Sequence, residues 1–456
     1  MKFGARFAER EGYPYTDRQL VAMVLPIILE IGLVSMVGMI DSVMVSILGE
    51  SAIAGVSLVD TTYALVTLAF QGMANGAAVL FGHLLGGEKK ADAVRMVSQA
   101  FTLFLVTSIA ASALVLAFRV PVLHLLFGSI AQDVEHNAHI YMTIVAFSIP
   151  FICLYYISSA TFRIMGDTAV PMKMTILMNA VHIPLNALFL YVLHTGVEGA
   201  AISTLISRAA AAVAIMLLLR NRSRELYLAR FPVKPVLSDI RRILHLGLPR
   251  AAEQGIFQLG TVLLLSITSV YGTMAIAANS VSYTAMVLQA IGPEAFIYVL
   301  QTASSHCIGA RRPDLVRYYT RRLLVMSYAV SIVLNLLTFA LCPLLFRAYH
   351  LSAETAALSW TLIVILGIAF MTVWPVAFDL PGVLWAADDS AFGLYHSLFC
   401  VYAVRIVFSY IFAVRMNMGV VGTRYAMCLD WIVRAVLVIW RYRKGKWVES
   451  AEKVVR

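Results

Sequence analysis

Hydrophobic residues in this chain come in runs too long for a globular core. Cut at glycines, prolines and charge clusters, the sequence divides into twelve mainly apolar stretches. They lie at about 20–48, 52–84, 93–118, 138–162, 170–193, 197–219, 243–271, 275–309, 320–346, 357–386, 391–414 and 420–441. Each has the roughly 20 residues that a helix needs to cross the hydrocarbon of a bilayer. Several links are only a few residues long, such as Gly49–Ser51, His194–Gly196 and Gly272–Met274. The pattern predicts an all-α polytopic membrane protein with twelve transmembrane helices.

Composition agrees with the pattern. Of 456 residues, 61% are hydrophobic and 13% charged, and the mean hydropathy is +0.83. A soluble protein carries about 25% charged residues. Such a chain has too little polar surface for water and excludes disorder, nucleic-acid binding as a main role and a disulfide scaffold. The five cysteines, Cys153, Cys307, Cys342, Cys400 and Cys428, all fall in apolar stretches without C-x-x-C or His neighbours, which reads as buried free thiols.

The net charge of +10 is explained by position. With an inside amino terminus and alternating spans, thirty of the 35 Lys and Arg fall on the cytoplasmic side. Arg119, Arg347, Arg415 and Arg424 are then assigned to outer ends, and Arg405 remains within a span. The positive-inside rule predicts both termini in the cytoplasm, without an acidic partner.

The chain also repeats itself. Leu25, Pro26, Glu30 and Gly32 recur 223 positions later as Leu248, Pro249, Glu253 and Gly255. At the same offset, Ala52-Ile53-Ala54 meets Ala275-Ile276-Ala277, His83 meets His306, and Gly196-Val197 meets Gly419-Val420. This predicts two pseudo-symmetric six-helix lobes: an amino-terminal lobe over 1–220, a basic cytoplasmic linker over 221–242 and a carboxy-terminal lobe with a short basic tail over 243–456. An even number of spans per repeat gives the lobes the same orientation, as in parallel-repeat transporters that work by rocking.

Several motifs now carry a resemblance. Leu25-Pro26, Asp41 with Val43-Met44-Val45, and Gly49 followed by Ala52-Ile53-Ala54-Gly55 resemble the first helix and turn of MATE (multidrug and toxic compound extrusion) transporters. Arg163-Ile164-Met165-Gly166-Asp167-Thr168 with Pro171-Met172 is similar to that family's loop between spans four and five. Asn179, His182 and Asn186, then Gly196-Val197-Glu198-Gly199, follow in the expected order. The resemblance covers roughly 20–445. It implies a monomeric, secondary active multidrug antiporter of a bacterial or archaeal plasma membrane, exchanging H⁺ or Na⁺ for organic, often cationic, compounds. It implies no cofactor and no enzyme activity. The alternative within the wider superfamily is a flippase for lipid-linked oligosaccharides, which would want several basic residues in its pathway.

An ionisable group at bilayer depth costs roughly 2.5–3.5 kcal/mol on insertion scales and asks for an explanation. Asp41 is such a group. It falls where the family carries its amino-lobe acid, which makes it the candidate coupling residue. Asn179, His182 and Asn186 are spaced three and four apart and so share one helical stripe. The resemblance places a cation site at Asp41, His182, Asn186 and Thr204, with Na⁺ at Asp41 and Asn186 or H⁺ favoured by the near-neutral titration of histidine. Pro26 is the candidate hinge of the first span. Cavity candidates are Asn179, Asp60, Gln71, Glu253, Glu294, Asp379 and Arg405, with Asp379 expected near the cytoplasmic face. Arg405 is expected to pair with Glu253, Glu294 or Asp379, and Asp430 with Arg434 four residues on. There is no Walker motif, no nucleotide loop, no zinc spacing and no clustered histidine set, so the residues point to neither ATP use nor catalysis.

Overall fold

The computed structural model describes residues 15–128 and 130–455, which contain helices and no strand. The first half runs through α1 (Asp17–Val45), α2 (Glu50–Gly86), α3 (Lys90–Ala117), α4 (Arg119–Phe127), α5 (Gln132–Ala146), α6 (Ile149–Ile164), α7 (Ala169–Ala187) and α8 (Val197–Leu219). The second half runs through α9 (Leu237–Ser269), α10 (Gly272–Gly309), α11 (Pro313–Ala348), α12 (Ala353–Thr372), α13 (Pro381–Ala386), α14 (Ser390–Leu398), α15 (Val407–Tyr410), α16 (Gly419–Arg443) and α17 (Lys446–Val455). Every one of the twelve apolar stretches falls on these helices.

Proline explains where spans break. The fourth span is α5 and α6, bent by 50°, and Pro150 opens α6 in the first turn, where its missing N–H costs nothing. In the tenth span Pro375 and Pro381 bracket a π-helical turn, Pro375–Asp379, that separates α12 from α13. Pro26, Pro184, Pro249 and Pro293 are carried inside continuous helices.

The repeat extends to the backbone. The fifth span ends in a π-turn at Leu188–Val192 and the eleventh in one at Ile411–Arg415, 223 residues later. Positive φ recurs at the same offset at Glu88 and Arg311, at His194 and Asn417, and at Gly196 and Gly419. Non-glycine residues rarely adopt this left-handed region, so its recurrence reflects one connection geometry used twice.

By length and apolarity, ten spans qualify among the described residues when α5 and α6 count as one. The two that fall short are α9 and α16. Glu253, Gln254 and Gln258 lie in the second half of α9, and Arg424, Asp430 and Arg434 in α16. Both of the least apolar spans carry buried charge.

Residue contacts group Leu29–Ala251 into one compact unit and the rest of the described chain into another. The two cuts, after Ile28 and after Ala251, are themselves 223 residues apart. In the first unit a core of Phe81, Phe101, Phe104, Phe162 and Ile215 also takes in Leu226 and Leu228 of the linker and Ile243 and Leu246 of α9. The start of α9 is tied there by Asp239, 3.2 Å from Arg95 of α3. In the second unit the start of α1 is tied by Asp17, which accepts two hydrogen bonds from Arg322 of α11 at 2.7 and 3.0 Å. All five cysteines are free and four are buried, Cys428 being half-buried.

α2 crosses the first half of α9 closely enough to need glycine. A Cβ added at Gly76 would lie 2.6 Å from the Gly247 Cα, and one at Gly72 would lie 2.7 Å from the Arg250 carbonyl oxygen. Both obstacles are backbone, so neither can step aside. Gly76→Leu should cost about 1–3 kcal/mol by overpacking, read as a lower thermal midpoint of the purified protein. Gly38→Ala, where nothing lies within 4 Å, should leave the midpoint unchanged or raise it.

Candidate functional site: a buried acid–imidazole pair

The amino-unit site is built from one stripe of α7. Residues four apart on a helix lie one above the other, so His182 and Asn186 face the same neighbour. That neighbour is Asp41, near the end of α1. Asn186 Nδ2 donates to Asp41 Oδ1 at 2.6 Å, and His182 Nε2 sits 3.2 Å from the same oxygen. His182 Nδ1 in turn lies 3.5 Å from the Ser203 hydroxyl of α8. The network is satisfied when a neutral imidazole donates from Nε2 and accepts at Nδ1. Asp41 keeps 19% of its side chain accessible. Asn186 Oδ1 is enclosed and has no hydrogen-bond partner, an acceptor left open beside the carboxylate.

The other amino-half candidates take separate places. Asn179 Nδ2 reaches the Leu33 carbonyl of α1 at 3.4 Å. The buried Thr204 hydroxyl donates to the Ala200 carbonyl of its own helix at 2.9 Å and is not hydrogen-bonded to Asp41. Asp60 is exposed on α2 and feels the charges of Arg208 and Asp41. Gln71 is half-buried on the same helix, eleven residues or about 16 Å further along. Glu30 belongs elsewhere: it pairs with Arg163 at 2.7 Å.

In the carboxyl unit the expected partners of Arg405 are replaced by another. Arg405 is 2% exposed and donates from Nε to Asp430 Oδ2 at 2.9 Å, with Nη2 on the same oxygen. Asp430 also forms the expected pair with Arg434 four residues on, whose Nη2 stands 3.8 Å from Oδ1. Arg434 donates as well to the Ser397 hydroxyl at 3.1 Å, which donates to Glu253 at 2.7 Å. Glu253 and Arg405 are thus linked through Ser397, Arg434 and Asp430. Both guanidinium groups lie 5.0 Å from a phenyl ring, Arg405 over Phe257 and Arg434 over Phe378. Asp379 is completely buried in the π-turn after α12, with the Ser327 hydroxyl donating to it. Glu294 is half-buried and within electrostatic reach of Asp379.

Three arginines were missed as interior groups. Arg208 and Arg434, counted with the cytoplasmic charges, lie inside α8 and α16. Arg424, counted at an outer end, is buried and donates to Asn279 at 2.7 Å and Ser282 at 3.3 Å. Their positions within the apolar stretches were the available signal.

A buried ion pair is most costly when half of it is removed. Arg405→Met should destabilise the protein by about 3–5 kcal/mol by leaving buried Asp430 with only the more distant Arg434. Adding Asp430→Asn should recover most of that loss, measured as thermal midpoints of the single and double variants.

Comparison with known proteins gives this geometry a context. A family model described as MatE matches the chain twice, over residues 26–188 and 249–411, again 223 apart. The uncharacterized transporter YisQ of Bacillus subtilis is 23% identical over 94% of this chain and 95% of its own length. The probable multidrug resistance protein NorM of Thermotoga maritima is 21% identical over 98% and 96%. Among solved structures, MATE in complex with MaL6 superposes with a TM-score of 0.87 at 18% identity, covering 96% of this chain and 97% of that one. An outward-facing multidrug resistance MATE transporter of the MOP superfamily gives 0.87 at 17%, covering 95% and 96%. The family model accounts for both halves of the fold, and the chain belongs to the MatE family of membrane transporters.

Proposed function

We propose that this protein exports small organic, often cationic, compounds across a plasma membrane in exchange for H⁺, or Na⁺, by alternating access. Both termini would lie in the cytoplasm. The observation that carries the reading is Asp41 held by His182 and Asn186 at membrane depth. A charged Asp41 attracts a cation, and a proton on Asp41 removes that attraction, so substrate and proton exclude each other from one group. Mutual exclusion is what turns two downhill equilibria into an exchange. Pro26, fifteen residues before Asp41 on the same helix, is the bend we assign to the response. A hard cation wants several oxygen ligands. Here Asp41 and the open Asn186 oxygen supply them while Thr204 is turned to its own backbone, which favours H⁺.

The test is uptake of a fluorescent cationic dye into inverted vesicles under a pH gradient or a Na⁺ gradient imposed separately. The pH gradient should drive uptake, and Asp41→Asn should abolish it at unchanged expression. His182→Gln should lower uptake driven by the pH gradient, since it takes away the imidazole that holds Asp41. Full uptake by Asp41→Asn would overturn the coupling role. Dye movement that responds to neither gradient would favour the flippase alternative.

A further inference from the structure

One margin of the amino unit carries a basic residue where the charge pattern leaves few. Arg119 is one of only four basic residues expected at outer ends. It opens α4, the short helix between α3 and α5, and its Nη1 donates to the Leu116 carbonyl at the end of α3 at 3.1 Å. That bond holds the guanidinium at the edge of the apolar stretch. Phe118, Leu125 and Leu126 around it are exposed, and exposed apolar side chains of a spanning chain meet lipid.

Two grooves follow one another on this face. The first, of about 450 Å³, is lined by Arg119 and Val120 of α4 and by His139, Ile140, Thr143 and Ile144 of α5. The second, of about 700 Å³, is lined wholly by apolar side chains, among them Phe147 and Phe151 at the bend into α6 and Ile206, Ala209 and Val213 of α8. Ile140, Ile144 and Phe147 are spaced four and three apart, so they form one row that runs from the first groove into the second. From His139 to Phe147 the row spans about 12 Å, close to the roughly 15 Å of hydrocarbon in one leaflet. Glu135 does not spoil the charge of the first groove. It lies 3.0 Å from His124 Nε2 and 3.3 Å from His139 Nε2. His124 Nδ1 is 3.0 Å from the Gly128 carbonyl oxygen, so both its ring nitrogens face acceptors, a pattern that the charged imidazolium satisfies. That charge offsets Glu135, and Arg119 keeps the groove basic. Asp133, six residues before His139, lies about a third of a turn away around α5.

We infer that this surface is a binding site for an anionic phospholipid, its phosphate held by Arg119 beside His139 and one acyl chain laid along Ile140, Ile144 and Phe147 into the groove against α8. A guanidinium offers paired N–H donors that match a phosphate. The apolar groove that continues from it takes the chain, so one amphiphile accounts for both. A cationic compound would meet Arg119 as a like charge, which argues against the exported substrate as the occupant. The inference does not rest on the export reading. With both termini in the cytoplasm, the leaflet concerned is the outer one.

The experiment is native mass spectrometry of the purified full-length protein in detergent. It is titrated with dioleoyl phosphatidylglycerol or dioleoyl phosphatidylcholine, which share their acyl chains and differ in net charge. Wild type should hold one phosphatidylglycerol about tenfold more tightly than phosphatidylcholine, the worth of one charge-assisted contact. Arg119→Gln should bring phosphatidylglycerol down to the level of phosphatidylcholine. Arg347→Gln, at another exposed basic residue assigned to an outer end, should leave the preference intact. Ala209→Phe should fill the apolar groove and weaken both lipids. Equal binding of the two lipids by wild type, or a preference lost equally in Arg119→Gln and Arg347→Gln, would overturn the assignment and leave Arg119 as one basic side chain among others at the membrane margin. Displacement of phosphatidylglycerol by the cationic dye would overturn it as well, by giving the groove to the substrate. Unchanged binding by Ala209→Phe would overturn the placement of the acyl chain. If Ala209→Phe does not yield monodisperse protein, Arg119→Gln, at an exposed position, decides.

Discussion

The Asp41 carboxylate sets a constraint that the surrounding helices have to satisfy. An acid at bilayer depth is tolerated only where side chains or water replace the hydration it has lost. Two of its partners come from a single stripe of α7, and the second of them, His182, is itself positioned by Ser203 of α8. One charge on α1 therefore fixes what two other helices present at that level. It also explains why the stripe is polar in an otherwise apolar span. Remove the acid and His182 and Asn186 become buried polar groups with less to bond.

The internal repeat shows what happens where that constraint is lifted. The repeat mate of Asp41 is Leu264, buried with Phe370 and Trp431. Asp60 corresponds to Tyr283 and Arg208 to Trp431. The mate of His182 is Arg405, and there the cation was kept while its acid moved to Asp430, whose own mate is Ser207. The exchange of His for Arg is not neutral. Histidine changes charge near physiological pH, and arginine does not lose its proton in proteins. The amino unit thus pairs its acid with an imidazole. The carboxyl unit pairs its acid with a guanidinium, and in its aromatic cluster of Trp374, Phe378 and Trp431 the last stands at the repeat position of Arg208.

How much of this the sequence discloses depends on whether the signal is local. Span lengths, the repeat and the His182–Asn186 stripe are all written in short periodicities, and they read correctly. The Asp41 contacts follow once the stripe is seen, because few acids lie at that depth. The pairing of Arg405 with Asp430 joins residues of different helices and has no periodic mark, and the expected partners lay instead among the acids of spans seven, eight and ten. Arg208, Arg424 and Arg434 were hidden by the counting of basic residues toward the nearest loop. That rule describes loops and span ends and is blind to a guanidinium eleven residues into a helix. The linker posed the converse problem. Its prolines and charges suggest a free tether, whereas Leu226 and Leu228 are buried in the core of the first unit.

α1 joins these levels, because it belongs to both compact units. Its first turns are counted with the second unit, where Asp17 is bound to Arg322. From Leu29 onward it is counted with the first, where Glu30 meets Arg163 and Asp41 meets His182. Of these three ties only the last is made by a histidine, since the other two are made by arginine. Under the proposed exchange, a proton on Asp41 would loosen α1 at that end while the Asp17 end stays fixed. The change of allegiance comes two residues after Pro26, where the helix already lacks one backbone hydrogen bond. A helix fixed at one end, releasable at the other and weakened in between deforms at the weak point, and that is the physical basis for assigning the response to Pro26. α9 repeats the arrangement in part, with Asp239 tied to Arg95 and Pro249 two residues before its own change of unit. It has Leu264 where α1 has Asp41, so its far end has no proton to answer to.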